Sequence, residues 1–158
     1  RILQCSSVLG LSALPYRGAY VASKYALEGI TDVLRMELRG SGIFVSLIEP
    51  GPIASRFRDN SYRAFKRHID PRGSAHERAY LALERRLRGE QGGSRFKRGP
   101  EAVLKRVVHA LESPRPKIRY PVTLPTYFFG AMRRLLPDRA LDWVLLTSTA
   151  AERKLPEE

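Results

Sequence analysis

A chain of 158 residues with a formal net charge of +12, 43% hydrophobic residues and one cysteine is long enough to bury a real core. Those values exclude an intrinsically disordered chain, a disulfide framework and a cysteine-built zinc site. The longest uncharged stretches, 2–16 and 120–132, are shorter than a membrane span and contain Pro, Gly or Ser, so no transmembrane helix is expected.

Residues 1–5 (Arg-Ile-Leu-Gln-Cys) read at once as a strand, ending in the polar pair Ser6-Ser7. A buried strand needs neighbours, so the chain is expected to be the second part of a longer protein. Residues 8–18 form a loop punctuated by Gly10, Pro15 and Gly18. From Ala19 to Arg39, Ala22, Ala26, Ile30, Val33 and Leu34 recur at helical spacing, and Gly40 supplies a stop. Residues 43–48 (Ile-Phe-Val-Ser-Leu-Ile) are β-prone and nearly all apolar, as in a strand buried on both faces, and Glu49-Pro50-Gly51-Pro52 ends it. Strand, long helix and buried strand make a βαβ unit, which implies parallel pairing with a right-handed crossover.

Beyond that unit, 56–98 reads as a polar excursion with one or two helices, 74–88 being the clearer one. Residues 100–111 form another helix, opened by Pro100-Glu101. A short strand at 117–122 follows, then two apolar-faced helices at 124–136 and 139–146, broken by Pro137, and a frayed tail at 154–158. The fold class is therefore α/β, an incomplete doubly wound parallel sheet of Rossmann type.

Charge is unevenly distributed. Residues 56–119 carry eighteen basic and seven acidic side chains, while 1–55 and 120–158 are nearly balanced. Such a segment attracts polyanions, yet it has few interleaved aromatics and no nucleic-acid-binding signature. It reads as a solvated basic flap, with an anionic partner as the rival reading. Glu84 and Arg88 fit an ordinary helix-face ion pair. His68, His76 and His109 lack ligand spacing, so no metal site is expected.

In an open parallel sheet, ligands bind beyond the carboxyl ends of the strands. Ser6 and Ser7 stand at that end of the first strand, Pro50 and Gly51 at that end of the second. The helix between them starts near the same edge and carries Tyr20 and Lys24 four residues apart, on one face. A phenol is too weak an acid to exchange protons readily at neutrality, and a neighbouring cation favours its phenolate. Tyr20 beside Lys24 suits proton transfer with a substrate oxygen, and Ser7 could hold that oxygen. The set contains no redox agent, so a cofactor must supply the hard step.

Ser6-Ser7-Val8-Leu9-Gly10, then Gly18-Ala19-Tyr20-Val21-Ala22-Ser23-Lys24-Tyr25-Ala26, then Glu49-Pro50-Gly51-Pro52-Ile53 closely resembles the short-chain dehydrogenase/reductase family. The thirteen-residue spacing from Ser7 to Tyr20 matches as well, and selects Ser7 over Ser6. The resemblance covers nearly all of this chain but only the carboxyl-terminal half of the family's fold. It implies that Tyr20 is the catalytic acid/base, that Lys24 lowers the pKa of Tyr20 and hydrogen-bonds the nicotinamide ribose, and that Ser7 polarises the substrate carbonyl. Pro50, Gly51 and Ile53 would pass beside the nicotinamide, with Ser55 near the cofactor. Residues 56–98 would form a flap over the substrate, and 120–150 a substrate-side extension.

The family's glycine-rich phosphate turn, first strands and catalytic asparagine belong upstream of Arg1. This chain alone is therefore expected to be inactive, and its parent to be a cytoplasmic oxidoreductase. That parent would move hydride between NAD or NADP, with NADP preferred, and the carbonyl or alcohol carbon of a lipophilic small molecule such as an aldehyde or ketone. Homo-oligomerisation through the 19–39 helix is expected. A peripheral membrane contact of the apolar carboxyl-terminal segment is left open. Phe57, Tyr127, Phe128, Phe129 and Trp143 are expected to be core rather than pocket lining. Tyr16 and Tyr25 are expected to pack beside the site. The alternative is a non-catalytic Rossmann-like protein that holds an anionic partner through its basic segment.

Overall fold

The computed structural model describes residues 1–89 and 94–150. The expected tail at 154–158 and part of the expected flap, 90–93, lie outside the described residues. Three strands, β1 (Ile2–Cys5), β2 (Val45–Glu49) and β3 (Arg119–Pro121), form one parallel sheet in the order β1-β2-β3. Ile2 pairs with Val45 and Cys5 with Ile48, while Leu47 pairs with Arg119 and Glu49 with Pro121. Because all pairings are parallel, the carboxyl ends of the three strands share one edge. Every residue of the central strand is buried, including Ser46, which donates to Lys117 O, and Glu49, which accepts from Arg119.

Helix α1 (Gly18–Glu37) connects β1 to β2. The strand starts two residues later than its sequence suggests. Ile43 and Phe44 lie in an exposed connection in which Ser41 N donates to Leu38 O and Ile43 N to Ser41 Oγ. Helix α4 (Glu101–Glu112) lies against the sheet, where Ala110, Ile48 and Tyr120 form a core flanked by Leu3, Val103, Val107 and Val122. The buried Tyr120 hydroxyl is satisfied: it accepts from Lys117 N at 2.8 Å and bonds His109 Nδ1 at 2.9 Å.

The 56–98 excursion folds as a helical hairpin, α2 (Phe57–His68) and α3 (Glu77–Arg88), with Phe65 and Ala82 buried between them. Glu84 does more than the expected face-to-face pairing with Arg88. Its buried carboxylate meets Arg88 at 3.0 Å and Lys66 of α2 at 3.2 Å, so it clasps the two helices together.

Helices α5 (Leu124–Leu135) and α6 (Asp138–Ser148) complete the described chain. They turn inward the faces bearing Thr126, Leu141 and Leu145. The aromatics expected in the core therefore lie outside it: Trp143 is 69% exposed, Phe57 60%, and Tyr127 and Phe128 about half, while Phe129 is half-buried. Helix phase explains the α5 pair, because inward-facing Thr126 and Gly130 are four residues apart, leaving Phe128 on the opposite side and Tyr127 on the flank. No helix among the described residues is long and apolar enough to cross a membrane.

Candidate active site

The carboxyl end of β1 continues past Cys5 as a corner held against the extension of β2. Ser6 N donates to Ile48 O and Val8 N to Pro50 O, both at 2.8 Å. Residues 6–8 and 50–51 are thereby brought side by side, as the sequence anticipates. Ser7 is extended, and its Oγ accepts from Leu9 N at 3.2 Å, capping a 3₁₀ turn over Val8–Gly10. That bond uses a lone pair and leaves the Ser7 hydroxyl proton free to donate.

Tyr20 and Lys24 occupy the first two turns of α1. Lys24 Nζ donates to Cys5 O at 2.9 Å and sits 5.7 Å from the centre of the Tyr20 ring. The cation is thus moored to the strand that presents Ser7, and the phenol lies beside it. The other flank of Tyr20 meets Phe57, ring centres 5.7 Å apart, so the first residue of α2 forms an exposed aromatic wall at the site.

The remaining expected cofactor residues have structural partners of their own. A Cβ on Gly51 would collide with the hydroxyls of Thr123 and Thr126 at the start of α5. Close approach of α5 therefore already requires the glycine. Ile53 bridges Arg98, with Ala54 N donating to Arg98 O at 2.7 Å and Arg98 N to Pro52 O at 3.1 Å. Ser55 is exposed, and its Oγ accepts from Phe57 N at the entry to α2. Tyr25 is half-buried, whereas Tyr16 is 41% exposed and holds φ at +61°, a left-handed conformation that costs an L-residue about 1–3 kcal/mol. Its ring meets His76 and Tyr80, pinning the loop before α1 to α3.

One cluster has no counterpart in the sequence reading. Arg119 of β3 donates to Glu28, to Asp32 at 2.5 Å and to Glu49 at 3.0 Å, drawing α1, β2 and β3 together. Arg35 also meets Asp32, at 3.6 Å, so the carboxylates are shared between more than one guanidinium. Burial pushes the Glu49 carboxyl up, assisted by repulsion from Glu28 and opposed by Arg119. Glu28 lies one helical turn beyond Lys24, and Glu49 directly precedes Pro50-Gly51, so the cluster stands immediately behind the site. Its only sequence signal is that four-residue offset from Lys24, which does not distinguish it from a surface carboxylate.

Comparisons with known proteins bear on the family of this chain. The family described as short chain dehydrogenase matches residues 1–65. The uncharacterized oxidoreductase YbbO of Escherichia coli (strain K12) is 49% identical over 146 residues, 92% of this chain and 48% of the relative. The NADPH-dependent 3-dehydrocapnine reductase of Ornithobacterium rhinotracheale is 31% identical over 153 residues, and human 17-beta-hydroxysteroid dehydrogenase type 1 is 34% identical over 142, aligning 48% and 41% of those proteins. The chain spans about half the length of the curated relatives it matches. The parallel βαβ unit and these matches agree, and the chain belongs to the short-chain dehydrogenase/reductase family.

Proposed function

We propose that this chain supplies the acid/base half of an NAD(P)-dependent oxidoreductase acting on the carbonyl or alcohol carbon of a lipophilic small molecule. The observation that carries this reading is the hydrogen bond from Lys24 Nζ to Cys5 O, which moors the Tyr20–Lys24 face of α1 to the strand end bearing Ser7. The residues present suit the nicotinamide end of a dinucleotide: a phenol, an ammonium and a hydroxyl with a free proton on one sheet edge. A bound nicotinamide would supply or accept the hydride.

In the reductive direction, the Ser7 hydroxyl donates to the substrate oxygen and holds it beside Tyr20. Tyr20 delivers its proton to that oxygen as negative charge develops there, and Lys24 stabilises the phenolate left behind. In the oxidative direction, Tyr20 takes the proton from the alcohol. Phe57, the exposed aromatic beside Tyr20, gives the reading its lipophilic substrate class. NADPH is the preferred cofactor by likeness to the 3-dehydrocapnine reductase.

Activity in this reading belongs to the full-length protein, because the phosphate-binding turn that the family requires is not within these residues. The cytoplasm is its location. Self-association uses the outward face of α1, where Ile30, Val33 and Met36 are exposed; Val33→Glu should lower the mass measured by light scattering.

The test is Tyr20→Phe in the full-length protein, assayed with NADPH and a panel of lipophilic aldehydes and ketones. Turnover should fall by orders of magnitude while NADPH binding, followed by its fluorescence, persists. Retention of most of the turnover would remove Tyr20 as the proton donor.

A further inference from the structure

Two successive residues of the corner are tied to two successive turns of α1. Lys24 reaches the Cys5 carbonyl, and one turn further on Glu28 faces Ser6. Both Ser6 and Glu28 are more than nine-tenths buried, and Ser6 Oγ and Glu28 Oε1 have no partner among the described residues. A Cβ placed on Gly10 would lie 2.6 Å from Ser6 Oγ and 3.1 Å from Glu28 Oε1, so both oxygens border the one gap that Gly10 leaves open. A hydroxyl donor and a carboxylate acceptor, both unpaired and buried around the same point, are positioned to serve as each other's partner across a small displacement or one bridging water. The other oxygen of Glu28 is already taken by Arg119.

We propose that Glu28 is a positioning residue of this site, its carboxyl linking Arg119 of β3 to the Ser6 hydroxyl and thereby fixing the corner that presents Ser7. The backbone makes that coupling effective. Ser7 is extended, with φ −164° and ψ 162°, and along extended backbone consecutive side chains point to opposite sides. Holding Ser6 inward therefore sets the direction in which Ser7 faces. Gly10 belongs to the same device, since any side chain there would enter the space between the two oxygens.

The inference rests on the acid/base reading of Tyr20, and its test keeps the two separable. Ser6→Ala, Glu28→Ala, their combination and Tyr20→Phe are made in the full-length protein and assayed with NADPH and an aldehyde. Each of the first two should lower kcat about tenfold, as loss of orientation does, with the KM for NADPH changed less than twofold. The double variant should be no worse than the poorer single one, because both break the same link.

A second readout is amide hydrogen exchange of the peptide spanning residues 6–12. It should quicken in Ser6→Ala and Glu28→Ala alike while the rest of α1 stays protected. Should Glu28→Ala not fold, Ser6→Ala carries the test alone through its kcat and its exchange. Unchanged kcat in Ser6→Ala, losses that multiply in the double variant, or exchange that rises throughout the protein would each overturn the proposal. Overturning with Tyr20→Phe inactive would leave the acid/base reading standing; if Tyr20→Phe remained active, both would fall together.

Discussion

The ammonium of Lys24 hydrogen-bonds the backbone carbonyl of Cys5, not its side chain. What the site needs at position 5 is therefore strand geometry, and what it needs at position 24 is a compact cation. The Cys5 side chain itself is a free thiol on exposed strand.

Cys5→Val should accordingly keep turnover of the full-length enzyme within about twofold, because it leaves the carbonyl in place and suits a strand. Lys24→Met should lose about a hundredfold or more, the scale of a removed charge stabilising a proton transfer. Lys24→Arg should recover only part of that loss, since a planar fork does not replace a point charge. Steady-state kinetics on the three variants checks the set. Equal losses in Cys5→Val and Lys24→Met would contradict it.

Gly51 faces the Thr123 and Thr126 hydroxyls across a gap that admits no Cβ. Gly51→Ala should destabilise the protein by about 1–3 kcal/mol through overpacking. Adding Thr123→Ala should restore part of that. Urea unfolding of the single and double variants measures both, and a fully additive pair would show that the threonine is not the obstacle.

The Arg119 cluster predicts opposite outcomes for its members. Arg119→Met strands carboxylates that are partly or fully buried and should cost about 3 kcal/mol or more. Glu49→Gln should be tolerated far better at neutral pH. The folded-state pKa of Glu49 is raised, so its contribution to stability is fully present below the ordinary carboxylate pKa of 4.5 and is lost as pH rises through the folded value. The glutamine variant, which mimics the protonated carboxyl, should thus match the parent more closely at pH 4 than at pH 7, where it should be the more stable of the two. Thermal unfolding at the two pH values decides it.

Asp70 has the reverse sign. Side-chain and backbone hydrogen bonds donated by Arg72 hold its carboxyl down at about 2, from an ordinary 3.8. Its contribution is present above pH 3.8 and disappears as pH falls toward 2. Asp70→Asn should flatten that segment of the acid-unfolding curve and leave the neutral region unchanged. Because the pair is fully exposed, the effect should shrink in added salt.

Glu84 is the clasp of the α2–α3 hairpin, meeting Lys66 and Arg88 from a buried position. Glu84→Ala should loosen the hairpin by about 1–3 kcal/mol, with proteolysis of 56–89 quickening before that of the sheet. Arg88→Ala should cost less, since Lys66 still reaches the carboxylate.

Much of the fold was legible in the sequence for a local reason. The apolar run of β2 specifies a strand buried on both faces, and Ala22, Ala26 and Ile30 specify a helix by their spacing. Parallel topology then places Ser7, Tyr20, Lys24 and Pro50 on one edge, because a βαβ unit has only one way to close. Periodicity failed for the aromatics of α5. It shows that residues share a face, and only packing decides which face turns inward; here Thr126 and Gly130 do, so Tyr127 and Phe128 stay outside.

The sequence by itself determined the family and the sheet edge, because spacing along a regular element converts directly into direction. Tertiary structure alone decided the contacts between residues far apart in the chain. It brought Arg119 to Glu28 across ninety-one positions, set Thr123 against Gly51, and closed Ser6 and Glu28 around Gly10. Those pairings depend on how separate elements stack, and no periodicity within either element records which partner it will meet.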